Sequence, residues 1–274
     1  MKKFLAVASA LVLTLSLVAC GNKETKTSDD TSASVETSTE VSTEVSTEVS
    51  EEASTEETTE EALAPAMTYA EYVAADIDSE VEIEAYVQAT QSWWDNTINV
   101  YAQDEDGAYF IYNLACAEED ASLLVPGTKI RVKGFKSEWS GEVEITDGTF
   151  EVVEGNFVAT PVDVTALLAD DTLIDHMNQL VSFTDLTVVA QEDGSAFLYN
   201  WDGSGSHDSN SDLYFTVESN GAQYSFTVES YLTDNTTDVY AAVEALNVGD
   251  VIDAEGFLYW YNGANPHITK ITVK

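Results

Sequence analysis

Gly127-Thr-Lys-Ile-Arg-Val-Lys-Gly-Phe135 is echoed by Gly249-Asp-Val-Ile-Asp-Ala-Glu-Gly-Phe257, with the glycines and the Gly-Phe pair displaced by 122 residues; Gly141 and Gly263 continue the register. In the first copy Ile130 and Val132 alternate with Lys129, Arg131 and Lys133, the period of a half-buried strand. Val125-Pro126-Gly127 just before it ends a short helical stretch, Glu118 to Leu124. Upstream, Val81 to Val87 alternates strictly. Thr97–Gln103 and Ala108–Asn113 flank Asp104-Glu105-Asp106-Gly107, a hairpin turn with Asp-Gly at its tip. Thr128–Lys136 and Glu142–Val153 form a second hairpin. The predicted order is three strands, a helix, two strands.

That order recurs. Val81 and Gln91 return as Val181 and Gln191, displaced by 100, and Gly107-Ala108 as Gly221-Ala222, displaced by 114. The growing offset places insertions around Trp201 to Asp212 and before a second helix at Asp238 to Leu246. Short amphipathic lead-ins, Met67–Ala75 and Val162–Ala169, precede the two copies. Long first strands and a glycine-entered fourth strand in this order resemble the OB-fold, and the whole resembles tandem OB-like domains of secreted and surface proteins of clostridia-type Gram-positive bacteria. The expectation is an all-β protein of two five-stranded OB-like barrels, residues 65–156 and 157–274, each with a short helix between strands 3 and 4. Closure into barrels removes exposed sheet edges.

The N-terminal 64 residues differ in kind. Lys2 and Lys3 precede an uncharged apolar run, Phe4 to Leu17, which is short for a bilayer span and suits an export signal. Leu17-Val18-Ala19-Cys20-Gly21 then resembles the lipobox of bacterial lipoproteins. The resemblance implies a signal peptide over 1–19, cleavage before Cys20 and acylation of that residue, which anchors the chain at the outer face of the cytoplasmic membrane, since several acyl chains hold where one does not. Residues 20–64 are rich in Ser, Thr and Glu, lack aromatics and repeat Ser-Thr-Glu-Val from Ser38 to Val49. Such a segment has too little apolar surface to offset ordering entropy and is expected to be a disordered tether. Its mean reach is roughly 40 Å as a coil, a spacer suited to a wall-bearing cell.

Composition narrows the function. A net charge of −40 with 10% aromatic residues excludes both a wholly disordered acidic chain and a nucleic-acid binder acting through bulk positive charge. No nucleophile elbow, P-loop or HExxH occurs, and His176, His207 and His267 are scattered without metal-ligand spacing. Cys116 reads as a small buried apolar residue at the start of the first helix. The acidic loops 104–107 and 202–212 match no calcium-loop spacing. The expectation is no enzyme, no cofactor and no metal.

Two groups of residues are candidates for binding. Lys129, Arg131, Lys133 and Lys136 form a basic strand: either a phosphate-binding stripe, or a face neutralised across the hairpin by Glu142 and Glu144. Trp93, Trp94 and Asp95 lie between the first two strands, Trp139 at the tip of the last hairpin, and Tyr259, Trp260 and Tyr261 in the equivalent hairpin of the second copy. The OB-fold resemblance implies that ligands are taken by these two loops and the face between them. There the rings stack on a sugar or base and Asp95, Asn96, Asn262 or Asn265 hydrogen-bond hydroxyls; the alternative is that the rings cap barrel ends or pack the domains together. The expected protein is a monomeric, membrane-tethered surface lipoprotein binding a glycan or a protein partner, with oligonucleotide binding through the basic strand as the alternative.

Overall fold

The computed structural model describes residues 65–274. Cys20, the signal segment and the tether lie outside the described residues. Chain entry is a one-and-a-half-turn helix, α1 (Tyr69–Ala74), held at its start by a reciprocal capping box between Thr68 and Glu71.

The first barrel comprises β1 (Glu80–Thr90), β2 (Thr97–Gln103), β3 (Ala108–Ala115), β4 (Thr128–Trp139) and β5 (Glu142–Asn156), closed in the order β1-β2-β3-β5-β4. Its core is filled by the inward half of each alternating strand, among them Val81, Ile83, Val100, Ile111, Ile130, Val132 and Ile145. Each such side chain contributes about 1.5–3 kcal/mol on burial. The β2–β3 turn is the expected one: Asp104 N–H donates to the Gly107 carbonyl, and the Asp104 carboxylate accepts from the N–H groups of Asp106 and Gly107 at 2.8 and 2.7 Å. The predicted helix over Glu118–Leu124 is reduced to one 3-10 turn, Ala121–Leu123. Asp120, where a cap is needed, makes no capping bond, and only Leu124 of this stretch is buried.

After a two-residue strand, β6 (Val162–Asp163), and two 3-10 turns, the second barrel repeats the plan. It uses β7 (Leu180–Val189), β9 (Leu213–Ser219), β10 (Ala222–Val228), β11 (Val251–Phe257) and β12 (His267–Val273), closed by a β7–β9 pairing. The insertion between β7 and β9 carries an extra edge strand, β8 (Phe197–Tyr199), paired with β9. Helix α2 (Asp238–Glu244), capped by Thr237, fills the place between strands 3 and 4. Both halves are therefore OB-like barrels with the same strand order.

The paired glycines of the repeat have a common cause. In each barrel the fourth strand slips register against the fifth beside its glycine, between Lys133 and Phe135 and between Glu255 and Gly256. A Cβ at Gly134 would stand 2.7 Å from the Thr146 carbonyl oxygen, and one at Gly256 only 2.2 Å from that of His267.

The barrels are packed on one another, in a single compact unit. Tyr101 and Phe110 point outward from β2 and β3 of the first barrel and form a third buried cluster with Phe257 of the second. Tyr101 stacks on Phe257 at 4.3 Å and shares a 2.9 Å hydrogen bond with His267 Nδ1. Burial holds His267 down to about 3, so it stays a neutral bridge. It is the first residue of β12, at the barrel junction.

Candidate functional site

Each cation of the basic strand has a partner within the first barrel. Lys129 pairs with Glu84 at 2.6 Å, Arg131 with Glu82 at 2.6 Å and Glu84 at 3.4 Å, and Lys133 with Glu80 at 2.6 Å. Neutralisation was expected from Glu142 and Glu144; it comes instead from β1, on the other side of β4. Register explains the difference: Glu142 faces Trp139 and Glu144 faces Ser137, while Glu84 faces Arg131 and Glu82 faces Lys133. Lys136 is buried, its ammonium donating to the carbonyls of Tyr72, Val73 and Ala75 at 3.0, 2.9 and 2.8 Å. It closes the C-terminal end of α1, where cations are favoured.

Glu142 and Glu144 are buried at the barrel junction. Glu142 Oε2 accepts from the Trp260 N–H at 2.8 Å. Burial pushes Glu142 up to about 8, against the Trp260 N–H hydrogen bond that favours its anion. Glu144 is pushed up to about 7 by burial as well.

The aromatic candidates divide. Trp93 packs against the core of the first barrel, its Nε1 donating to the Cys116 carbonyl at 2.9 Å; Cys116 is itself a buried free thiol of that core, although no helix starts there. Trp260 packs against the second core and lies over Gly141. Asp95 and Asn96 adopt left-handed φ of 47° and 64° and make the tight β1–β2 turn, and Asn262, at 53°, does the same in the β11–β12 loop. The packing alternative thus holds for some rings and not for others, since Trp94, Trp139 and Tyr261 are exposed.

Trp139, Tyr259 and Tyr261 meet in a cleft of about 880 Å³ on the second barrel. Its wall is built from β9 (Tyr214), β10 (Ser225), the β11–β12 loop (Tyr259, Tyr261, Asn265) and the inserted β7–β9 loop (Gln191, Trp201, Asp212). Trp139 reaches in from the first barrel, its ring centroid 5.1 Å from that of Tyr261, its own counterpart in the repeat. The two hairpin tips are joined by the Asn262 N–H donating to the Ser140 carbonyl at 2.7 Å. Tyr259 stacks on His267 at 4.4 Å, and Thr227 holds Asn265 at 2.8 Å.

Trp201, 77% exposed, escaped the sequence reading because its loop reads as a solvated Gly-Ser-Asp insertion. A tryptophan set in such a stretch was the available signal. The insertion is fixed to α2: Tyr199 and His207 both reach Glu244, at 2.6 and 2.8 Å, and the Tyr240 hydroxyl donates to the Ser211 carbonyl at 2.7 Å.

Two carboxylates stand in the cleft. Asp212 Oδ1 accepts from the Ser230 N–H and hydroxyl at 2.8 and 2.7 Å. Glu229 accepts from Gln91 Nε2 at 2.9 Å and from the Leu232 N–H at 3.0 Å; burial, and then the charge of Asp212, push it up to about 7. Among the described residues, no Lys or Arg lines the cleft. Among the described residues, no group of three or more His, Cys, Asp or Glu is placed to hold a metal ion.

A second hollow, about 300 Å³, lies on the corresponding face of the first barrel, against Trp94, Asn99 and Tyr112.

No family model matches the chain, and no curated protein matches it. Solved structures similar to it include a murine DNA-binding protein bound with double-stranded DNA, at 10% identity over 70% of this chain and 96% of that one, with a TM-score of 0.35. Another is a replication protein A heterotrimer bound to single-stranded DNA, at 12% identity over 71% and 49%, with a TM-score of 0.30. An Entamoeba histolytica asparaginyl-tRNA synthetase is similar at 16% identity over 36% and 25%, with a TM-score of 0.27. The matched region spans a quarter of the synthetase chain and about half of the replication protein chain.

Proposed function

We propose that the protein is a non-catalytic binding module that takes a neutral oligosaccharide in the cleft of the second barrel. The observation that carries this reading is the lining: Trp139, Trp201, Tyr214, Tyr259 and Tyr261 beside Asp212, Glu229, Asn265 and Gln191, with no cation. Flat apolar rings suit the C–H faces of sugars, while carboxylates and amides accept from and donate to hydroxyls. A polyanion meets no positive partner there and a chain of net charge −40 around it. The cleft also occupies the strand 2–strand 3 face and flanking loops through which OB-folds bind oligosaccharides and oligonucleotides.

Tryptophan fluorescence titration with chito- and cello-oligosaccharides, and with oligo-dT, tests the reading. A saturable response to a sugar series but not to DNA is expected. Trp201→Ala should weaken it at least about tenfold, the loss of one stacked ring. Silence to both ligand classes overturns it in favour of a scaffolding role with a protein partner.

Oligonucleotide binding is the second reading, favoured by the same rings, which stack on bases as well as on sugars. Double-stranded and single-stranded DNA are the ligands in two of the similar structures. In this protein such binding would rest on the cleft, because Lys129, Arg131, Lys133 and Lys136 are engaged elsewhere. A response to oligo-dT that falls steeply with added salt is its signature.

The anchor belongs to the same proposal: Cys20 acylated, and the barrels held outside the cell on the acidic tether. Cys20→Ser is expected to move the protein from the membrane fraction to the medium. Retention of that variant on the membrane overturns the anchor.

A further inference from the structure

The hollow on the first barrel is unusual in what it leaves in water. Trp94, Tyr231 and Tyr112 line it and are 79%, 66% and 42% exposed. The rest of its lining is amide, hydroxyl and aliphatic, with Gln91, Asn99 and Asn113 prominent and no ionisable acid or base other than the tyrosines. The volumes of the hollow and the cleft, about 300 and 880 Å³, both fall within the range of about 300–1,000 Å³ typical of ligand sites.

A hydrogen-bond relay joins the lining of the hollow to that of the cleft. Asn113 N–H donates to Asn99 Oδ1 at 2.7 Å, Asn99 Nδ2 to Gln91 Oε1 at 2.6 Å, and Gln91 Nε2 to Glu229 Oε2 at 2.9 Å. That relay starts in the hollow and ends in the cleft. Tyr231, two residues beyond Glu229, is tied to the first barrel through its carbonyl, which accepts from the Ser92 N–H at 2.7 Å and from the Ser92 hydroxyl at 3.2 Å. On β3 the outward ring of Phe110 packs edge-on against Tyr259 of the cleft at 5.4 Å, and Tyr112 is the next outward residue on that strand.

We infer that cleft and hollow are two parts of one track, and that the guest is a linear uncharged glycan long enough to cross from Trp201 to Trp94. This rests on the carbohydrate reading of the cleft and adds the length of the ligand and a second set of contacts. A free sugar or a short oligomer fills the cleft alone; a longer chain continues over the Gln91–Glu229 bridge and stacks on Tyr231, Tyr112 and Trp94. The neutral lining of the hollow is what a hydroxyl-rich chain requires and offers a phosphate no cation.

Calorimetric titration of the described barrels within the full chain, using chito- and cello-oligosaccharides of two to eight units, tests the track. Affinity is expected to rise at least about tenfold between tetramer and octamer, beyond the severalfold gain that extra binding registers on a longer chain provide. Trp94→Ala and Tyr231→Ala should each remove most of that gain and leave the tetramer unchanged, whereas Trp201→Ala weakens both lengths. An octamer bound no better than the tetramer, or one indifferent to Trp94→Ala, overturns the track while leaving the cleft in place. Absence of binding at every length overturns the carbohydrate reading, and the track with it.

Discussion

Replacing Gly256 by alanine is expected to cost on the order of 3 kcal/mol or more, enough to leave much of the protein unfolded at 37 °C. The added Cβ would meet the His267 carbonyl oxygen at 2.2 Å, the Ile268 Cα at 2.7 Å and the His267 carbonyl carbon at 2.9 Å. All three are backbone atoms of β12, so no side chain can swing aside. Relief requires β11 and β12 to part, and β12 also carries the closing contact to β10 and the His267–Tyr101 bond between barrels. Gly134→Ala meets the Thr146 carbonyl oxygen at 2.7 Å and should follow the same course with a smaller loss. Gly194→Ala is the contrast: its φ of +88° disfavours a side chain by about 1–2 kcal/mol, but nothing stands within 4 Å. Urea midpoints of the three variants should rank in that order. A Gly256→Ala protein as stable as the Gly194→Ala one would mean that β11 and β12 do not approach as described.

Stability is expected to fall steeply on going from pH 6 to pH 8.5. Glu142, Glu144 and Glu229 have an ordinary value near 4.5 in the unfolded chain and are raised to about 8, 7 and 7 by burial in the native one. Between 4.5 and 8 the folded protein therefore holds protons that the unfolded chain has released, and stability declines as pH rises through that window. His267 works the other way. Its value drops from 6.5 to about 3, so its contribution is lost as pH falls below 6.5. One imidazole does not balance three carboxyls, so maximal stability is expected near pH 4–5, with a decline on the order of 3–5 kcal/mol between pH 6 and 8.5, seen as a falling urea midpoint. Glu142→Gln keeps an acceptor for the Trp260 N–H and removes the charge, and should flatten the alkaline limb. A midpoint that is level from pH 6 to 8.5 would count against burial of these carboxyls.

The parts legible from sequence are those written in local period and in backbone need. Strict alternation from Val81 to Val87 fixes which side of β1 is core, and Asp104 to Gly107 fixes the turn of the β2–β3 hairpin. The duplicated Gly-Phe pair marks a place in each barrel where the backbones of strands 4 and 5 come too close for a side chain. What alternation hides is the use of the outer face. Tyr101 and Phe110 lie on the outer face of the first barrel, and only the presence of a second barrel buries them against Phe257. The partners of the basic strand were hidden for a related reason. β4 has a neighbour on each side, glutamates of suitable parity occur on both β1 and β5, and sequence spacing alone does not say which register brings them opposite Lys129 and Arg131. Of the candidate site, the β4–β5 and β11–β12 hairpin rings were visible because the repeat aligned them. Trp201 was not, since it sits in an insertion that has no counterpart.

Each barrel contains one parallel pair of neighbouring strands, and in the second that pair is very short: one ladder rung, Thr227 with His267, joins β10 to β12. The cylinder is thus least firmly fastened at the spot where its floor is covered by Tyr259, and the bolt across it, Tyr101, belongs to the neighbouring half. Stiffness beneath the rings is on loan from the first barrel. The second barrel taken alone would lose its firm floor along with its neighbour.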